Sequence, residues 1–130
     1  MAAIDIIIAV DTQGALATGR VVDHAYMVDS HGFLGSWTEG QPSLSTVCED
    51  GDVLTWRAVP VAPTGDVSLV GFDGDMVSSH ACNPEQVRGL DAAVWGGRLE
   101  ARGVFASLPY TLSLSVHGQS MRLGAALKVV

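Results

Sequence analysis

Apolar side chains occur at every second position along most of this chain, and this spacing predicts β-strands rather than helices. The first segment shows the pattern well, since Ile4, Ile6, Ile8 and Val10 share one face of an extended chain. Its other face is half apolar, which is typical of a strand inside a sheet. The same alternation predicts strands over residues 26–30, 44–48, 53–59, 67–72, 98–105, 110–117 and 121–130.

Turn signals separate these segments. Glu49–Asp52 holds a glycine among three acids, so residues 44–48 and 53–59 are predicted to pair as a hairpin. Asn83–Gln86 permits one helical turn with Pro84 at its first helical position. No helix longer than that is predicted.

The strand count and the spacing of the turns indicate the fold class. We expect residues 1–130 to form one all-β domain, an antiparallel two-layer sandwich of about seven or eight strands. Residues 12–24 and 73–93 are the two long irregular stretches. Binding sites usually lie on such connecting segments, so these two ranges are the first places to search.

Composition restricts the classes of partner. The chain has 7 basic and 14 acidic residues and a net charge of −7, which disfavours nucleic acids and anionic membrane surfaces. No apolar run reaches the roughly 18–20 residues that span a bilayer, so membrane insertion is not expected. The start MAAIDIII lacks a basic region and is interrupted by Asp5, which favours a cytoplasmic protein and leaves export without a signal open. In that reducing compartment Cys48 and Cys82 are predicted to be free thiols.

Asp11 and Thr12 stand where the first strand ends. Both side chains can accept hydrogen bonds from nearby backbone N–H groups, and we favour this structural role. A catalytic or metal-binding carboxylate is the alternative. If the role is structural, Asp11→Ala is predicted to lower the free energy of unfolding by about 1–2 kcal/mol, the range for a lost cap.

A cluster of possible ligands lies within ten positions in the second irregular stretch. Asp73, Asp75, His80 and Cys82 carry side chains that bind metals. However, Asp73-Gly-Asp75 lacks the further oxygen ligands of a calcium loop. We therefore favour a solvated acidic turn, predict neither a metal nor a cofactor, and keep Asp73, Asp75 and His80 as candidate ligand-binding residues.

The three tryptophans have different surroundings. Trp56 alternates with Leu54 and Ala58, so it is predicted to lie in the core. Trp37 lies in a polar, glycine-flanked segment, and Trp95 precedes two glycines. An exposed tryptophan can stack on a sugar or anchor a partner, so both are candidate ligand-binding residues. A ring folded back over the end of the sandwich is the favoured alternative for each.

A hydrolytic triad finds little support in the sequence. Histidines 24, 31, 80 and 117 and many serines are available, but the chain contains no Gly-x-Ser-x-Gly elbow. Nor does a glycine-rich phosphate loop precede a helix. We therefore predict no catalytic residue.

Several segments resemble the AidA/PixA family of bacterial inclusion-body proteins. The resemblance lies in Ile4–Ala17, in Tyr26–Val28 and in Gly51–Ala58, which reads GDVLTWRA, and it continues in Val67–Leu69 and Tyr110–Val116. It implies an immunoglobulin-like sandwich and a bacterial protein whose relatives are linked to quorum sensing, host interaction or deposition in intracellular inclusions. It supplies no catalytic residues.

Three functions follow from this reading. The first is a non-enzymatic AidA/PixA-like protein that acts by self-assembly as a homo-oligomer or by binding a host protein. The second is a sandwich that binds a glycan or another small ligand through Trp37 or the acidic loop of residues 73–82. The third and least favoured is a small hydrolase or metalloenzyme.

Overall fold

A computed structural model describes residues 3–30, 44–87, 94–100, 102 and 106–130. These residues contain nine strands and two short helices. In chain order the elements are β1 Ala3–Val10, α1 Thr12–Thr18, β2 Ala25–Asp29, β3 Ser45–Cys48, β4 Val53–Pro60, β5 Val67–Asp73, α2 Asp75–Ser78, β6 Glu85–Gln86, β7 Val94–Arg98, β8 Ala106–Val116 and β9 Gln119–Val129.

The strands form two facing sheets, which we name sheet A and sheet B. Sheet A has the order β2-β1-β4-β7-β6, and sheet B has the order β3-β9-β8-β5. The alternating apolar residues point into the space between the sheets, where Ile4, Ile6, Leu54, Trp56 and Leu112 are fully buried. A two-layer β-rich fold is thus confirmed, whereas its immunoglobulin-like character stays a prediction.

The expectation of purely antiparallel sheets was wrong, because each sheet contains one parallel pair. Strand β1 runs parallel to β4 with Ile6 opposite Trp56, and β3 runs parallel to β9 with Thr46 opposite Leu127. Alternation specifies which face of a strand is buried, but it carries no information about the direction of the neighbouring strand. The remaining pairs are antiparallel.

The predicted hairpin between residues 44–48 and 53–59 was also wrong. The turn exists, since the Glu49 N–H donates to the Asp52 carboxylate (2.8 Å), but it carries the chain from sheet B to sheet A. It is held at the sandwich end by two backbone bonds of 2.8 Å, from Gly51 N to Leu99 O and from Leu99 N to Asp52 O. The residues of the turn therefore predicted where the chain reverses, but not which strands pair with one another.

Three local predictions need correction. Residues 12–18 form helix α1 rather than an irregular stretch, because Asp11 caps its start and Gly19 ends it in the left-handed conformation (φ 73°). No helical turn forms at Asn83–Gln86; Glu85 and Gln86 pair with β7 instead. Of the strand predicted over residues 98–105, only Arg98 lies in a strand, as the end of β7; Leu99, Glu100 and Arg102 do not, and residues 101 and 103–105 lie outside the described residues.

Candidate functional site

Asp11 accepts a hydrogen bond at the start of α1. Its Oδ1 lies 3.3 Å from the N–H of Gly14, and its own N–H donates to the carbonyl of His24 (2.8 Å). The Oδ2 atom lies 3.7 Å from Nδ1 of His24. Thr12, the first helical residue, is buried. These contacts tie the end of β1 to the segment that enters β2.

Gly14 makes the contact with the histidine possible. A Cβ atom at this position would lie 2.4 Å from Nδ1 of His24 and 2.7 Å from Oδ2 of Asp11. Both distances are shorter than real Cβ contacts, so any side chain here would displace the imidazole. The arrangement holds an acid, a glycine and a histidine together, and these contacts account for it as a structural junction.

The structure does not bring the candidate ligands of the acidic loop together. Asp73 pairs with the guanidinium of Arg122, and both side chains are largely exposed. Asp75 opens the four-residue helix α2, while His80 is exposed in the left-handed conformation (φ 62°). Cys82 is buried. Among the residues that the structure describes, no three His, Cys, Asp or Glu side chains form a group that could hold a metal ion.

The other histidines likewise have local roles in this part of the fold. His117 and Gly118 both have positive φ values, 48° and 83°, and form the tight turn between β8 and β9. The Nε2 atom of His117 accepts a hydrogen bond from the backbone N–H of Asp66 (3.1 Å). His31 and Trp37 lie outside the described residues.

Trp95 joins an aromatic cluster, which we define as Trp56, Phe72, Trp95 and Tyr110. Ring centroids lie 4.9 Å apart for Trp56 and Phe72, 5.8 Å for Trp56 and Tyr110, and 5.8 Å for Phe72 and Trp95. The indole N–H of Trp56 donates to the hydroxyl of Tyr110 (3.1 Å). Phe72 and Trp95 are only partly buried, so they form the outer members of the cluster.

Both cysteines are free and buried. Burial raises the pKa of each thiol from 9.0 to about 12, with a further contribution from Asp52 at Cys48 and from Glu100 at Cys82. Burial also raises the pKa of the Tyr110 hydroxyl. Since thiolates are the reactive form, these cysteines are poor nucleophiles in the folded protein.

Sequence reasoning missed an apolar area on the outer face of sheet A. Register places Val28 beside Ile7 and Tyr26 beside Ala9, and Val59 of β4 lies on the other side of Ala9. We call these five residues the outer strip. Tyr26 is 52% exposed and Ile7 is 38% exposed. Alternation assigned each residue to a face, but only the strand pairing shows that they are neighbours.

Two charged side chains border the outer strip. Asp5 precedes Ile7 by two positions on β1, and Arg57 is the residue paired with Ile7 across β4. Together with Ile6, Ile7 and Thr55 they line a small cavity of about 150 Å³. Within the described ranges, neither Asp5 nor Arg57 forms an ion pair.

A buried polar contact joins the edge strands of the two sheets. The hydroxyl of Thr46 on β3 donates to the carboxylate of Asp29 on β2 (2.8 Å), and both residues are buried. Neither residue was singled out from the sequence. Its position between the sheets makes it a structural link.

Comparison with solved structures supports the fold. The chain is similar to an inclusion body protein, PixA, from Burkholderia cenocepacia J2315, with a TM-score of 0.70 and 12% sequence identity. The match covers 98% of this chain and 95% of that chain. The resemblance to the AidA/PixA family is thereby confirmed as a likeness of fold. No helix among the described residues is long and apolar enough to cross a membrane.

Comparison by sequence gives a family but no characterised relative. No curated protein matches the chain significantly. Residues 2–122 match the family described as Domain of unknown function (DUF8788). Because this match includes nearly the whole chain, the protein belongs to that family.

Proposed function

We propose that this protein acts without catalysis, by self-association of the kind that concentrates a protein in intracellular inclusions. The observation that carries the proposal is the outer strip, a partly exposed apolar area that extends from the edge strand β2 across β1 to β4 on the outer face of sheet A. The likeness to an inclusion body protein over 98% of the chain supports it. Apolar patches rimmed by charges are typical of protein–protein contact sites.

The rim of the outer strip favours a second copy of the chain as the partner. Two copies can meet face to face through this surface, related by a two-fold axis that lies in the plane between them. An axis that passes midway between Asp5 and Arg57 exchanges the positions of these two residues. Each carboxylate then lies opposite a guanidinium across the interface, and Ile7, which adjoins both residues, lies beside the axis. Such an isologous contact satisfies both charges with no second type of surface.

The small cavity beside Asp5 and Arg57 supplies a place for an apolar anchor. At about 150 Å³ it can receive a branched aliphatic side chain. Ile7 of the second copy lies nearest the axis in this arrangement, so it is the side chain that would enter the cavity. Burying an isoleucine fully is worth about 1.5–3 kcal/mol, so burying the exposed part of Ile7 is worth about 1 kcal/mol. Because a symmetric dimer contains this contact twice, the two isoleucines together contribute about 2 kcal/mol to association.

Substitutions on the outer strip test the proposal. We expect wild-type protein to show a concentration-dependent mass in sedimentation equilibrium and to form deposits when expressed at a high level. Ile7→Lys should raise the dimer dissociation constant about thirtyfold, because about 2 kcal/mol is lost per dimer. Val70→Lys, at an exposed valine (55% exposed) on sheet B, is the matched control and should leave association unchanged.

A charge exchange tests the geometry of the pairing. Asp5→Arg and Arg57→Asp should each weaken association, because each places like charges opposite one another. The double variant should restore it, since the opposite charges have only changed places. A wild-type chain that remains monomeric at millimolar concentration would refute the proposal, as would equal effects of Ile7→Lys and Val70→Lys.

The finer expectations remain predictions. Control by quorum sensing, binding of a host protein and an immunoglobulin-like strand arrangement follow from the family resemblance. Binding of a glycan or small ligand through Trp37 or residues 73–82 follows from single residues. The outer strip bears on none of them. Accumulation in intracellular inclusions is the expectation that the self-association experiment addresses.

A further inference from the structure

A β-bulge in β5 determines where Phe72 points. Leu69 pairs with Leu114, but the next pair is Gly71 with Ser113, so Val70 is the extra residue. Without the bulge, strict alternation from the buried Leu69 would turn Phe72 to the outer face. The bulge instead pairs Phe72 with the buried Leu112 and places its ring between the sheets.

The aromatic cluster thus has a closed inner part and an accessible outer part. Trp56 and Tyr110 are buried and satisfy each other's polar atoms through the 3.1 Å hydrogen bond. Phe72 and Trp95 are partly exposed and lie 5.8 Å apart, on strands of opposite sheets. Phe72 belongs to the edge strand of sheet B, where a ring can shift with little disturbance of the sheet.

Trp95 carries an unpaired buried donor. Its Nε1 atom is buried, and no hydrogen-bond acceptor reaches it in the described structure. Leaving a buried N–H without an acceptor costs about 1–3 kcal/mol, and native proteins rarely retain such groups without a reason. The contrast with Trp56, whose N–H is satisfied in the same cluster, marks Trp95 as the position that lacks a partner.

We propose that Phe72 and Trp95 form a binding site for a flat, uncharged molecule that carries a carbonyl oxygen. The two partly exposed rings would stack on the flat part of the molecule, and a shift of the Phe72 ring would open the space that the carbonyl needs to reach the buried Trp95 N–H. An anionic ligand is disfavoured, since it would lose its hydration against the negative faces of the rings, and an ammonium ion has no acceptor for the Trp95 N–H. The bulge and the unpaired donor are independent features that meet at the same two side chains.

Two matched probes test this site on the ¹⁵N-labelled full chain. 1-Indanone is flat and carries one carbonyl, and indane has the same ring skeleton without it. We expect 1-indanone to move the indole N–H resonance of Trp95 downfield in a saturable manner, because a new acceptor deshields that proton. Indane should bind about twofold to tenfold more weakly and cause no downfield shift, in line with the loss of one hydrogen bond.

Internal controls and one variant complete the experiment. The indole resonance of Trp56 should stay in place, since its N–H already donates to Tyr110. Trp95→Phe identifies the resonance and should reduce the affinity for 1-indanone, measured by ligand-observed NMR, to that for indane. Equal affinities of the two probes for the wild-type chain, or no saturable shift with 1-indanone, would overturn the proposal even if the variant failed to fold.

Discussion

Removal of the Asp11 carboxylate tests the junction between β1 and α1. Asp11→Ala deletes the acceptor of the Gly14 N–H and the 3.7 Å contact with His24. A lost N-terminal cap costs about 1 kcal/mol, and an ion pair between partly exposed groups adds up to about 1 kcal/mol. For 130 residues the entropy of unfolding is about 0.27 kcal/mol per kelvin, so the melting temperature should fall by about 4–7 °C.

Thermal unfolding followed by circular dichroism measures this change, and Asp11→Asn is the matched control. Asparagine caps helices as well as aspartate does, so this variant should retain the hydrogen bond to Gly14 and lose only the charge. We expect its melting temperature to fall by no more than about 4 °C, and by less than that of Asp11→Ala. A melting temperature unchanged in Asp11→Ala, or lowered equally in both variants, would refute the assignment of Asp11 as a cap.

Two further predictions concern the buried thiols. Gly97→Ala should destabilise the fold, because its Cβ would lie 2.9 Å from Sγ of Cys82. In denaturant melts it should cost less in a Cys82→Ala background than in the wild-type chain, and an equal cost in both backgrounds would contradict this contact. The raised pKa values of Cys48, Cys82 and Tyr110 favour their neutral forms in the folded state. Their contribution to stability should therefore be unchanged below about pH 9 and fall as the pH rises towards about 12. Cys48→Ala should flatten this alkaline decline, measured as the midpoint of urea unfolding against pH, and an equally steep decline in that variant would exclude the Cys48 thiol as a source.

The sequence predicted the strands better than their partners. The alternation of Ile4, Ile6 and Ile8 specified a buried face because a side-chain period of two is a local property. Pairing β1 with β4 in parallel depends on contacts between residues about fifty positions apart, which no local pattern encodes. Helix α1 escaped prediction since seven residues are too few for a helical period, although Asp11 and Gly19 were its visible start and stop signals.

In the candidate sites, too, local properties could be predicted from the sequence, whereas contacts between distant residues could not. Trp56 was placed in the core from its neighbours in the sequence, and it is fully buried. The outer strip needs the register of three strands, and the aromatic cluster needs the bulge that inverts the alternation before Phe72. Asp73, Asp75 and His80 are close in sequence, but Asp73 ends β5, Asp75 opens α2 and His80 follows that helix. In the described part of the chain they form no group that could hold a metal ion.

The parallel pair of β3 and β9 has a consequence for biosynthesis. Cys48 and Lys128, which meet in this pair, are 80 residues apart, so β3 leaves the ribosome long before its neighbour exists. Strands β1, β2 and β4 can assemble early, while β3 waits with its inward side chains uncovered. Strand β3 therefore completes sheet B only after β9 has been made, so this parallel pair forms late when the chain folds during its synthesis.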